Sequence, residues 1–188
     1  MLNTLQAIKT LLNEDKIKLV EDSKIIIEET HRQATLRKVE IASVGIHTFS
    51  LKLEKCGFPG QSTFSTHKPV HRACDAISFC VVEGQPYILC FELKSSEPTR
   101  HEVAEQFRSA HCFLDYLDSL LMHYCEGKSI KDWPKKYYVF HNQSRTPLAR
   151  EVSSKDIDDH HSTPETAKFI AVSDGHKTYL RKLLNKPV

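Results

Sequence analysis

Residues 75–82 and 87–93 are two apolar runs separated by Glu83-Gly84-Gln85-Pro86. Runs of this length around a Gly- and Pro-containing segment read as a β-hairpin with a four-residue turn. A helix follows almost at once. Thr99-Arg100-His101-Glu102 has the spacing of a capping box: the Thr99 hydroxyl accepts from the Glu102 N–H, and the Glu102 side chain reaches back to Thr99. Val103, Phe107, Ala110, Leu114, Leu117 and Leu121 then recur at steps of three and four, the period of a helix with one buried face, and Gly127 is the expected C-cap. This strand–turn–strand–helix block sets the fold class as α/β (α+β).

The flanking segments agree with that class. Leu2, Leu5, Ile8, Leu11 and Leu12 have helical spacing over residues 2–13. From 16 to 54 the pattern changes to period two, with strands expected near 24–30, 37–44 and 47–54 and turns around 31–35 and at Gly45. Residues 55–72, with Gly57, Pro59, Gly60 and Pro69, read as a long loop. A strand over 137–141 follows Trp133-Pro134, where Trp133 reads as a packing anchor. Residues 142–166 read mostly as loop, 168–173 as a strand and 177–184 as a helix. The 188 residues make a single domain, with a core over about 1–141 and a C-terminal extension over 142–188.

Composition excludes several classes. The chain is 40% hydrophobic and 27% charged, which argues against disorder, and six Gly and eight Pro argue against collagen-like or low-complexity sequence. No apolar run approaches the roughly 18 residues of a membrane span. The first residues lack a basic start followed by an apolar block, so a cytoplasmic protein with reduced thiols is expected. Cys74, Cys80, Cys90, Cys112 and Cys125 sit in apolar patterns, as small core residues do. A net charge of +2 permits a nucleic-acid partner without requiring one.

The hairpin carries the chemistry. With 83–86 as the loop, Val82 faces Tyr87, Ile77 faces Glu92 and Asp75 faces Lys94. Opposed residues share a face, as do residues two apart on one strand. Asp75, Glu92 and Lys94 are therefore expected on one side of the open hairpin end, with Glu92 and Lys94 about 7 Å apart. A one-residue slip would send Asp75 to the other face. Two carboxylates and an ammonium interrupting an apolar sheet need compensation, because unpaired buried charge is expensive. A divalent cation would bridge the carboxylates, since Mg²⁺ takes one or two of them together with waters and phosphate oxygens. The lysine would hold the attacking water and offset phosphate charge. Taken alone, Glu-x-Lys is a weak signal that a plain sheet-edge ion pair also satisfies.

Asp75, then Phe91-Glu92-Leu93-Lys94, then a helix carrying Gln106-Phe107, resembles the PD-(D/E)XK nuclease superfamily, which includes type II restriction enzymes and archaeal Holliday-junction resolvases. The resemblance covers residues 74–117. It implies a restriction-endonuclease-like core, a central mixed β-sheet flanked by helices. It implies that Asp75 and Glu92 bind Mg²⁺, with Mn²⁺ as a substitute, that the Leu93 carbonyl adds a ligand, and that Lys94 is the catalytic lysine. Gln106 matches the helix glutamine of resolvase- and exonuclease-like members. Many members also carry an acid on the first helix, for which Glu14 is the candidate, with Glu28 or Glu29 behind it. Cys74 stands where many members have Pro.

Other residues have competing readings. His67, His71 and Cys74, with Cys56, could suggest zinc, but the spacing matches no strong finger pattern. His71 and Arg72 lead into Asp75 and Ser95 follows Lys94, so all three are candidate nucleic-acid contacts. Lys177 and Arg181, with Lys182 and Lys186, are either a solvated face or a grip on a phosphate backbone. Residues 156–161 read as a polar loop, and His101 and His111 as flank residues of the long helix. The expected function is a Mg²⁺-dependent DNA endonuclease, suited to restriction, phage defence or junction processing, with a homodimer needed to cut both strands. The alternatives are a nuclease-like module that binds without cutting, acting as a subunit or partner, and a ribonuclease of the same fold.

Overall fold

The computed structural model describes residues 2–20, 22–52, 73–142 and 161–186. A first helix, α1 (Leu2–Leu11), leads through a 3₁₀ turn at Glu14–Lys16 into the short strand β1 (Ile17–Leu19). Strands β2 (Lys24–Glu28), β3 (Lys38–Ala42) and β4 (Phe49–Leu51) follow, then β5 (Ala76–Val82) and β6 (Gln85–Lys94). The long helix α2 (Arg100–Tyr124) precedes β7 (Lys135–Asn142), β8 (Lys168–Val172), β9 (His176–Tyr179) and the short α3 (Leu180–Leu183). Among these residues no helix is long and apolar enough to cross a membrane.

The protein is mixed α/β. Six strands form one mixed sheet in the order β1-β4-β5-β6-β7-β8, antiparallel up to β6 and parallel from β6 to β8. Its central strands are apolar without alternation because both faces are covered. On one face α1 and α2 pack over Phe49, Ile77, Phe79, Ile88, Tyr137 and Val139. On the other, Ala76, Leu89, Phe91, Tyr138 and Phe140 pack against Ile25, Ile27, Val39, Ile41 and Leu180. Helices thus flank the mixed sheet as expected, and its second face is covered mainly by a three-stranded sheet, β2-β3-β9.

Three expectations need correction. The hairpin turn has two residues, not four: Val82 pairs with Gln85 and Val81 with Pro86. Glu83 and Gly84 both have positive φ, 52° and 79°, the backbone of a tight turn whose twist matches the strands. In the C-terminal segment β8 pairs with β7 and β9 with β3. Within it, Lys177 and Thr178 lie in a strand rather than a helix. Cys74, Cys80 and Cys90 are buried as expected, but Cys112 is exposed and Cys125 only partly covered.

The capping box forms as the sequence predicts: the Thr99 hydroxyl accepts from the Glu102 N–H at 3.3 Å, and the Glu102 carboxylate accepts from the Thr99 N–H at 3.2 Å. The cap residue at the far end is Cys125, and Gly127, with φ 71°, lies in the turn beyond it. Trp133 packs against the core as anticipated.

Candidate active site

The two-residue shift in register keeps every side chain on its expected face, because the strand period is two. The last observed pair is Ala76↔Phe91, which leaves Asp75 beside Glu92 rather than across from Lys94. Ile77, Cys90 and Val139 face α1 and α2, so Asp75, Glu92 and Lys94 share that face by alternation. The backbone ties the two acids together. The Asp75 N–H donates to Glu92 Oε2 at 3.3 Å, and the Leu93 N–H donates to Asp75 Oδ2 at 2.6 Å.

Glu92 gathers the rest. Lys94 Nζ lies 2.7 Å from Glu92 Oε1, and Gln106 Nε2, arriving from α2, donates to the same oxygen at 2.8 Å. Asp75 and Glu92 are 4% and 3% exposed, while the Lys94 side chain is 30% exposed and forms the solvent-facing side of the group. Burial holds the Glu92 carboxyl above the usual carboxylate range, against the opposing pull of the Lys94 ammonium and the hydrogen bonds from Lys94, Gln106 and the Asp75 N–H. Burial also pushes the neighbouring Cys74 thiol well up, so Cys74 is a protonated core residue, its Sγ donating to the Ala76 carbonyl at 3.5 Å.

The group fits a hard divalent cation on chemical grounds. It offers two adjacent carboxylates and one amide oxygen, Gln106 Oε1, which is buried and has no hydrogen-bond partner among the described residues. An all-oxygen set with few protein ligands is what Mg²⁺ accepts. Among the described residues no group of three or more His, Cys, Asp or Glu is placed to hold a metal ion, so the protein's share of such a site would be these two carboxylates and neutral oxygens.

Other expected members stand elsewhere. Glu14 is exposed in the turn before β1, two strands from β5, roughly 10 Å at about 4.8 Å per strand. Glu28 pairs with Lys18 at 3.1 Å, and Glu29 accepts from the His31 N–H at 2.6 Å. Arg181 pairs with Glu83 in the hairpin turn. That turn is the far end of the ten-residue β6, roughly 30 Å from Lys94 at about 3.3 Å per residue. Lys177 lies 3.6 Å from Glu40 in the small sheet. Ser95 is exposed beside Lys94, but its hydroxyl accepts from the Thr35 N–H at 2.9 Å. His71 and Arg72, and the His67 and Cys56 of the zinc reading, lie outside the described residues. His111 bonds the Tyr137 hydroxyl at 2.8 Å, and His101 lies 3.6 Å from Glu105.

Sequence reasoning missed His141. It pairs with Lys94 across the parallel β6–β7 register, is 8% exposed, and its Nδ1 has no hydrogen-bond partner among the described residues. Only the long-range strand pairing reveals it, and no local motif marks it. No family model, no curated protein and no solved structure matches the chain, so the geometry of these residues carries the functional argument.

Proposed function

We propose that this chain is a Mg²⁺-dependent phosphodiester hydrolase acting on DNA, built on a restriction-endonuclease-like core, with Asp75, Glu92 and Lys94 at its centre. The observation that carries this reading is the convergence of two buried carboxylates and one solvent-facing ammonium on a single sheet end. When bound, the ion supplies Lewis acidity and a more acidic water. Asp75 and Glu92 would hold it, with Gln106 Oε1 and the Leu93 carbonyl as further oxygen donors. Lys94 orients the attacking water and offsets the negative charge of the phosphate. Gln106 Nε2 fixes the orientation of Glu92.

Supercoiled plasmid incubated with the protein is expected to be cut with Mg²⁺ or Mn²⁺, to stay intact with EDTA, and to stay intact with the Lys94→Ala protein. Linear, single-stranded and branched DNA and a matched RNA run in parallel define the substrate. Equal cleavage by wild type and Lys94→Ala, or no cleavage of any substrate, contradicts the reading. The low exposure of Asp75 and Glu92 favours a second reading, a nuclease-like module that binds without cutting. That reading predicts nucleic-acid binding with no metal-dependent cleavage.

A further inference from the structure

One loop of the small sheet is fastened to the same strand ends. Residues 29–37 connect β2 to β3. The Thr35 N–H donates to Ser95 Oγ at 2.9 Å, Thr35 Oγ1 donates to the Ser95 carbonyl at 3.3 Å, and Asn142 Nδ2 donates to Thr35 Oγ1 at 3.1 Å. Ser95 follows Lys94 and Asn142 follows His141, so the loop is tied across the C-terminal ends of β6 and β7. In open α/β sheets that edge is where ligands bind.

The loop is also braced internally. The Arg37 guanidinium donates to the carbonyls of Ala34 at 3.0 Å and Arg32 at 3.3 Å, and Ala34 and Leu36 are buried anchors. A loop already held in shape loses little freedom on binding. Its one acid, Glu29, accepts from the His31 N–H, and the adjacent Asp174, between β8 and β9, accepts from the N–H groups of Arg37 and Lys38 at 2.7 and 2.9 Å. Arg32 is exposed, and its side chain makes no hydrogen bond or ion pair with any described residue. A guanidinium fork matches phosphate oxygens. The loop holds no Phe, Tyr or Trp on which an unpaired base would stack, which favours a duplex over a single strand.

We propose that residues 29–37 clamp the phosphate backbone of duplex DNA, with Arg32 as the contact and Thr35 as the latch. This rests on the hydrolase reading and states how that site holds its substrate. The test is binding of a fluorescent duplex DNA to the full chain in EDTA, followed by anisotropy across a NaCl series. Arg32→Gln is expected to weaken binding and to lower the slope of log K against log salt by about 0.9, the loss of one phosphate contact. Thr35→Val, which removes the hydroxyl bonds to Ser95 and Asn142, is expected to weaken binding with the slope unchanged. Lys131→Gln, exposed at the opposite end of β7, is expected to change neither.

An unchanged slope for Arg32→Gln, an equal drop for Lys131→Gln, or tighter binding of duplex RNA overturns the clamp. If plasmid is still cut in Mg²⁺ in those cases, the hydrolase reading survives. A slope that falls as expected in a protein that cuts nothing upholds the clamp and removes the hydrolase reading. No duplex binding at low salt overturns the clamp by itself.

Discussion

Glu92→Gln is expected to lower plasmid cleavage by about 10²–10³-fold, the usual cost of removing one electrostatic contributor to a reacting centre, while raising the thermal stability of the protein at neutral and alkaline pH. The two effects share one cause. Glu92 is buried, and burial holds its carboxyl above the range it has in the unfolded chain. The native state therefore keeps a proton that the unfolded state releases first. As pH rises from the unfolded carboxyl's pKa to the higher native one, stability falls, because the unfolded state binds fewer protons. Glutamine keeps the shape and carries no charge to desolvate, and its single amide oxygen can accept from either Gln106 Nε2 or the Asp75 N–H, which bond different oxygens of Glu92. Melting curves of the two proteins are expected to converge below about pH 4, where the carboxyl is protonated in both states, and to diverge above it with Glu92→Gln the more stable. A variant less stable than wild type at pH 8 would mean that Lys94 and the surrounding donors more than repay the burial of the charge.

Phe91→Ala is expected to destabilise the fold by about 3–5 kcal/mol, the range for deleting a buried aromatic side chain. Phe91 is fully buried, and its ring stacks on Tyr138 at 5.7 Å and on Phe140 at 6.2 Å. It precedes Glu92 and faces the small sheet, so the layer it supports lies on the opposite side of β6 from the carboxylates. Urea unfolding measures the change as a lower midpoint with an unchanged m-value. A loss below about 1 kcal/mol would mean that the three-stranded sheet does not pack on the main sheet at this strand, since only a site that collapses or already meets solvent loses so little.

What the sequence reveals about this protein follows from how local each signal is. The capping box at Thr99 and Glu102 and the stripe from Val103 to Leu121 involve neighbours three and four residues apart, and α2 forms where they predict it. The hairpin is also local, yet its turn was misread because Pro86 resembles a turn residue. Pro86 instead sits near the start of β6, a position where its missing N–H is tolerated. The error of two residues preserved which face each side chain takes, and so the grouping of Asp75, Glu92 and Lys94 survived it. Long-range pairings left no comparable trace. Lys177 and Thr178 join a strand because β3 lies beside them, with Glu40 opposite Lys177 and Ile41 opposite Thr178. The three-residue β1 is too short for a period to show. His141 enters the site only through its parallel register with Lys94, and the Thr35–Ser95 latch joins residues 60 positions apart.

Calorimetric titration of Mn²⁺ into the purified protein, compared with Asp75→Asn and Glu92→Gln, probes the paired carboxylates without relying on turnover. The account predicts saturable binding by the wild type near one ion per chain, and its loss in both variants. Heats that do not saturate, or identical isotherms for all three proteins, would contradict it.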